Sequence, residues 1–273
     1  MRSFPPTRIV CLTEETVETL YLLGESERIV GVTGYAVRPK RVRAEKPRVG
    51  AFTSADVPKI LDLDPDLVLL FSDLQGEIAR DLMAAGVAVH GFNQRDIAGI
   101  FAMIRTLGAL VDARDAADAL IADYTARLND ARADAEAADR RPPRVYFEEW
   151  DDPMISGIGW VSELIAAAGG RDVFADRARE GGARDRIVRG EDVINAAPDV
   201  IIGSWCGKKV RTDAIASRAG WADIPAVRAG AIHEVKSPLI LQPGPAALTD
   251  GLDAIRTALS GGGPDRRSVS NEG

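Results

Sequence analysis

Residues 112–139 run for 28 positions without a glycine or a proline. Ala117, Leu120, Ile121, Tyr124, Leu128, Ala131 and Ala135 recur along this stretch at the three- and four-residue steps of a single helical face. The spacing predicts one amphipathic helix of about 25 residues, roughly 40 Å long at a rise of 1.5 Å per residue. Arg140-Arg141-Pro142-Pro143 ends it, because proline pushes the residue before it out of helical geometry. A stripe this long exceeds what one small lobe needs and suits a helix bracing two lobes. The chain is therefore expected to divide into an α/β lobe at 1–111, a bridging helix at 112–142 and a second α/β lobe at 143–260. A polar, Gly-rich tail at 261–273 is expected to be disordered.

On both sides of that helix, short β-type runs alternate with helical stretches, which is the pattern of α/β sheets. Strands are expected at Ile9–Leu12, Ile29–Val32, Leu67–Phe71, Val87–Phe92, Val145–Trp150, Val200–Ser204 and Ile232–Val235. Leu67–Phe71 is apolar throughout, so it is expected to be buried on both faces, as in parallel sheets. Thr13 is placed to cap the next helix, with Glu14 and Glu15 in its first turn near the positive end of the dipole. Further helices are expected at Ser54–Leu63, Ile78–Ala85, Ile97–Leu110, Trp160–Ala168, Glu191–Ala197 and Pro245–Leu259.

The two halves share a phrase. Ile60-Leu-Asp-Leu-Asp-Pro65-Asp66 leads into one apolar strand, and Val193-Ile-Asn-Ala-Ala-Pro198-Asp199 leads into another. Each reads as a short helix stopped by proline, an aspartate that bonds the turn backbone, a buried strand and then an aromatic. Matched flanks around a bracing helix point to duplicated lobes.

In open α/β sheets ligands bind beyond the carboxyl ends of the strands. Tyr35, Phe71, Phe92, Trp150 and Trp205 stand at five such exits, although aromatics are only 5% of the chain. Clefts that grip large ligands are lined with aromatics and a few polar groups. The net charge of −7 disfavours nucleic acid as a partner. Two cysteines and two histidines are too few for a usual structural zinc site. Both Cys11 and Cys206 sit in apolar runs that read as buried. The N-terminal apolar run, Ile9–Leu12, is short of the roughly 7–15 residues of a secretory signal. No stretch is long enough to span a membrane. As written the protein reads as cytoplasmic, and as periplasmic if translation starts further upstream.

These features together resemble the vitamin B12- and iron-siderophore-binding proteins that serve ABC importers, most of all the cobalamin-binding branch. The likeness extends from Arg8 to about Leu259. It rests on Arg8-Ile-Val-Cys-Leu-Thr followed by Glu18, on Val30-Gly-Val-Thr-Gly-Tyr35, on both Pro-Asp strands, and on Ile155-Ser-Gly-Ile-Gly-Trp160 leading to Gly169-Gly170. The resemblance implies two Rossmann-like lobes joined by one long helix, the class III periplasmic-binding-protein architecture, with no intrinsic cofactor and no catalysis. It implies a corrinoid ligand in an interlobe cleft, lined by Tyr35, Phe52 and Phe71 from the first lobe and by Glu149, Trp150, Trp160 and Trp205 from the second. Asn93, Gln94, Arg95 and Lys236 suit the amide fringes or a phosphate of such a ligand. It further implies that Glu77 docks on an ABC permease. At the second docking position the chain is basic, Lys208-Lys209-Val-Arg211, which departs from the family pattern and also fits intracellular corrinoid handling.

Two rival readings accompany this one. A ferric siderophore, haem or another metal chelate would suit the same cleft. An enzyme would use either the acidic cluster Glu148-Glu149 with Asp151-Asp152 or the thiol of Cys206 beside Lys208. Strand alternation puts Glu148 and Glu149 on opposite faces, so one pocket receives at most one of them. No phosphate loop follows a strand, which disfavours a nucleotide enzyme.

Overall fold

A computed structural model of the chain describes residues 4–261. The expected disordered tail lies almost wholly outside the described residues. Two compact units are present. The first takes in the chain through Asp123 together with Gln242–Pro245, and the second takes in Tyr124–Leu241 and the chain from Ala246 onward.

The first unit carries a four-stranded parallel sheet of β1 (Ile9–Cys11), β2 (Ile29–Val32), β3 (Leu67–Phe71) and β4 (Val89–Phe92), in the order β2-β1-β3-β4. β3 is buried along its whole length, as its unbroken apolar run predicts. Val10, Leu12, Val68 and Leu70 share one core with Ile60 and Leu82. All four strands run the same way, so their carboxyl ends share one edge of the sheet.

The second unit repeats the theme with β5 (Arg144–Asp151), β6 (Met154–Ser156), β7 (Arg171–Asp172), β8 (Val200–Gly203) and β9 (Ile232–Glu234). The order is β6-β5-β8-β9, with β7 also on β5, and β6 alone is antiparallel. β5 runs through Trp150 to Asp151 and turns back through Asp152-Pro153 into β6, a hairpin not expected from the sequence. Glu149 and Trp150 lie within the strand, as the expected run Val145–Trp150 has them, and the strand continues to Asp151.

The long helix is continuous over Arg114–Ala137. Ala117, Ile121, Tyr124, Leu128 and Ala131 are its buried stripe, and Leu120 and Ala135 are half-buried. Its residues through Asp123 count with the first unit and those from Tyr124 with the second. The last helix extends from Pro245 to Leu259 but contains a π-helical turn at Ala247–Gly251. A Cβ on Gly251 would stand 2.4 Å from the Leu239 carbonyl oxygen, so that close approach depends on glycine. Thr13 occupies the N-cap position of the Glu14–Leu22 helix without making the expected side-chain cap. Its hydroxyl faces that of Thr16 at 3.3 Å instead.

The Pro-Asp phrases acquire a specific role. Asp66 accepts from the Thr7 and Arg8 amides at 2.8 and 3.0 Å, and its own amide donates to the Arg8 carbonyl at 2.9 Å. Asp199 accepts from the Arg144 amide at 2.8 Å, and its amide donates to the Arg144 carbonyl at 2.8 Å. Each aspartate thus ties the start of its own strand to the start of the neighbouring one, rather than only its own turn. In both copies the arginine side chain reaches back to the end of the preceding helix, Arg8 to the Leu63 carbonyl and Arg144 to that of Ala196. The residue before each proline, Asp64 or Ala197, is left-handed, with φ of 43° and 45°.

The Arg144 guanidinium beside Asp199 holds that carboxyl down at about 2. A depressed folded-state pKa contributes stability that is present above the unfolded value near 4 and lost as pH falls toward 2. Asp199→Asn is expected to cost about 1–3 kcal/mol at pH 7. Thermal melts should show the gap between variant and wild type narrowing from pH 4 to pH 2. A gap independent of pH would mean that the carboxylate charge contributes nothing.

Candidate functional site

At the carboxyl edge of the first sheet, β1 delivers Thr13, Glu14 and Glu15; β2 delivers Tyr35; β3 delivers Phe71; and β4 delivers Asn93, Gln94 and Arg95. Tyr35 is 50% exposed, whereas Phe71 is buried. The Arg95 guanidinium lies 5.3 Å from the centre of the Phe71 ring and donates to Asn93 Oδ1 at 2.9 Å. Phe52 is half-buried, and Asn93 is exposed. Glu77 is exposed in the first turn of the Gly76–Ala84 helix.

Gln75, not singled out from the sequence, organises this edge. Its buried amide donates to the Phe52 carbonyl at 2.7 Å and to the Leu12 carbonyl at 3.3 Å, and its Oε1 accepts from the Phe71 amide at 2.9 Å. One side chain therefore fixes the Phe52 loop against two strand ends. Glu18 pairs with Arg38 at 2.8 Å and so ties the Glu14–Leu22 helix to the segment just after Tyr35.

Glu14 and Glu15 do more than complement a helix dipole. Glu15 is 1% exposed, and its Oε1 has no partner. Glu14 accepts from Gln242 Nε2 at 3.0 Å. Burial pushes Glu15 up to about 8 and Glu14 up to about 7. Burial likewise pushes the Cys11 thiol up to about 12, which leaves it an inert core residue.

At the corresponding edge of the second sheet, the sequence-predicted residues take different parts. Lys208 Nζ stands 4.1 Å from the Trp150 ring centre and 5.0 Å from that of Trp205, and it pairs with Asp151 at 2.5 Å. Trp150 remains half-buried and donates through Nε1 to the Asp152 carbonyl at 2.9 Å. Trp205 is 4% exposed and belongs to the core cluster of Tyr146, Ile201 and Trp221. Trp160 is also buried, and its indole N–H donates to the Ile240 carbonyl at 2.8 Å. Lys236 is exposed just before the Ser237–Ile240 turn. Cys206, expected to be buried, is exposed, because β8 ends at Gly203 and the apolar run closes on Trp205.

Three of the four acids in the cluster, Glu148, Glu149 and Asp151, are spent on ion pairs. Glu148 is fully buried and accepts from Arg218 through both oxygens at 2.5 and 2.9 Å, from Trp205 Nε1 at 3.1 Å and from the Tyr146 hydroxyl at 3.0 Å. Glu149 makes a bidentate pair with Arg186, whose side chain is 2% exposed, at 2.6 and 3.1 Å. A carboxylate saturated by four donors is a poor general base, so Glu148 serves to hold the edge of Trp205 in place. The Glu148–Arg218 pair, Tyr146 and Trp205 form one network that is costly to break at a single member. A depression of about 430 Å³ between the long and last helices, lined by Ala131, Asp134, Ala135, Arg256 and Thr257, contains none of the predicted residues.

The model of the periplasmic binding protein family matches residues 9–239. The chain belongs to that family. It is 26% identical to an uncharacterized ABC transporter substrate-binding lipoprotein of Bacillus subtilis, over 93% of this chain and 80% of that protein. It is also 26% identical to the vitamin B12-binding protein of Vibrio cholerae, over 94% of this chain and 91% of that one. A periplasmic heme-binding protein of Pseudomonas aeruginosa superposes with a TM-score of 0.80 at 21% identity, covering 95% of this chain and 94% of its own. The chain thus has the two-lobed α/β fold of these binding proteins, with parallel sheets and a long helix. No helix among the described residues is long and apolar enough to cross a membrane.

Glu15 sets a test of the first edge. A carboxyl whose folded pKa is raised favours the fold most below its unfolded value near 4.5, and that contribution is lost as pH rises through about 8. Glu15→Gln is nearly isosteric and does not titrate. Its melting temperature relative to wild type is expected to climb between pH 5 and pH 9. Parallel melting curves across that range would mean that Glu15 ionises without penalty.

Proposed function

We propose that this protein is an ABC-type substrate-binding protein whose ligand is a corrinoid, taken at the carboxyl edges of its sheets without chemical change. The observation that carries the reading is the Trp150–Lys208–Trp205 group, where an ammonium lies across two indole faces at the exits of β5 and β8. The half-buried indole of Trp150 suits the broad apolar face of a corrin, with Trp205 held in the core beside Lys208, and the arginine and asparagine beyond β4 suit its amide fringe. Identity of 26% to a vitamin B12-binding protein along 94% of the chain supports the same ligand class. At the first edge half-buried Phe52 offers apolar contact, and at the second exposed Lys236 offers charge; buried Trp160 and ion-paired Glu149 hold the shape of that edge instead. Exposed Glu77 offers a carboxylate to an importer's permease, while Lys208 at the second edge is committed to Asp151 and the rings.

One observation favours haem as a second reading. Among the four tyrosines, Tyr35 alone is exposed, and a phenolate can serve as an axial ligand to haem iron. Titration calorimetry with cyanocobalamin and with haemin separates the two. The expected outcome is micromolar or tighter binding of cyanocobalamin and none of haemin; a Tyr35-dependent Soret shift with haemin alone would reverse the assignment. Trp150→Ala is expected to weaken cyanocobalamin binding by about 1–3 kcal/mol, roughly tenfold to over a hundredfold. Trp150 is the better probe than Trp205, because removing the latter also opens the core.

A further inference from the structure

The ring at the second edge that best suits a flat ligand already has a cover. Trp150 packs against the core cluster of the second unit, and its Nε1 donates to the Asp152 carbonyl at 2.9 Å. The Lys208 ammonium lies over this ring, 4.1 Å from its centre and 5.0 Å from the centre of the Trp205 ring. A flat group stacked on an indole comes within about 3.5–4 Å of it. Nothing can stack on that face of Trp150 while the ammonium is there.

The cover is held more weakly than the ring beneath it. The Lys208 side chain is 42% exposed, and its ion pair with Asp151 lies at the surface. Cation–π contacts and ion pairs in water-exposed positions each contribute little. The turn carrying the lysine is fixed at both ends, by the bond from Trp205 Nε1 to Glu148 at 3.1 Å and by that from the Val210 amide to Glu234 Oε1 at 3.0 Å. Between those anchors Cys206, Gly207, Lys208 and Lys209 are all exposed. Gly207 is left-handed, with φ of 73° and open space where a Cβ would stand. The Lys208 amide reaches the Trp205 carbonyl only at 3.4 Å. A flexible four-carbon stem adds its own freedom to that of the turn.

Lifting the ammonium off the ring leaves a charge to be placed. A neutral ligand takes the ring and gives the lysine no partner in exchange. A ligand with a phosphate or carboxylate beside its flat part takes the ring and supplies an anion in place of Asp151. Asp151 keeps a cation in range, because its charge acts on the Arg218 guanidinium.

We propose that Lys208 is a displaceable cap on Trp150 that sets specificity: it swings off the ring as the flat part of the ligand stacks there, and pairs with an anionic oxygen of that ligand. The proposal rests on the reading that Trp150 meets a corrinoid, whose anionic group is the phosphodiester of its nucleotide loop. The site then selects complete corrinoids over those that lack the loop.

The experiment uses the full chain and equilibrium dialysis, read from the corrin absorbance. The probes are dicyanocobalamin and dicyanocobinamide, which differ in the phosphate-bearing loop. Wild type is expected to bind the cobalamin at least tenfold more tightly. Lys208→Ala is expected to bind the cobinamide threefold or more tightly than wild type does, because no cap has to leave, and to bring the two probes within about threefold of each other. A thermal melt of the variant confirms its fold. Equal affinity of wild type for both probes overturns the proposal and leaves the corrinoid reading intact. So does a ratio that Lys208→Ala leaves unchanged, or an equal weakening of both probes, which would mean that the lysine meets the ligand from its resting place. Failure of wild type to bind either probe overturns the corrinoid reading and the proposal with it.

Discussion

The aspartate after each Pro-Asp turn sets the register on which both sheets depend. Asp66 and Asp199 each exchange hydrogen bonds with the first residue of the adjacent strand system, Arg8 or Arg144. Parallel strands lack a tight hairpin to align them, so something else must fix where one strand begins against its neighbour. Here a carboxylate does so by accepting from a backbone amide while its own amide donates back. The arginine at the same position joins the preceding helix end to the clamp. Once strand starts are aligned, strand ends are aligned too, and the residues beyond them gather along one edge. The gathered edge is a consequence of a clamp at the opposite end of each sheet.

The two units use that shared geometry differently. In the second, charge is neutralised internally: Glu148 with Arg218, Glu149 with Arg186, Asp151 with Lys208. Buried ion pairs contribute little net stability over apolar packing, but they fix orientation, because each partner must stay to offset the desolvation of the other. The oriented group here is the indole of Trp205. In the first unit the carboxyls of Glu14 and Glu15 have no cationic partner among the bonds described, and their protons are held by burial instead. One edge is electrostatically closed, and the other retains unused acceptors.

The sequence disclosed what is periodic or local. The long helix was legible because 28 residues lack any breaker and carry a continuous stripe, and Leu67–Phe71 was legible from its unbroken apolar run. The β5–β6 hairpin was not legible, since Glu148-Glu149-Trp150-Asp151 looks like a polar strand exit when the arginines that neutralise it lie 37 and 70 residues away. Cys206 was misjudged for a related reason: its apolar neighbours Trp205 and Ile202 turn inward, and the cysteine falls on the solvent side of the loop. Gln75 carries no local signature, because its amide becomes informative only when it is seen to bridge distant carbonyls, whereas Gln94 was marked by its place at the exit of β4.

That contrast explains why the aromatics were the weaker guide and the polar residues the stronger one. Trp160 and Trp205 stand where strand topology puts candidate ligand contacts, yet each is anchored through its indole N–H and largely buried. An aromatic at a strand exit has two ways to lower its free energy, a ligand face or a core, and sequence cannot tell them apart. A buried carboxyl or amide has fewer. It must find a donor, hold a proton or leave an orphan, and each outcome is visible in the structure. Glu148 found donors, Glu15 holds a proton, and Gln94 has an orphan. A ring at a strand exit is therefore ambiguous by itself, whereas a buried polar group declares its state through the partners it has or lacks.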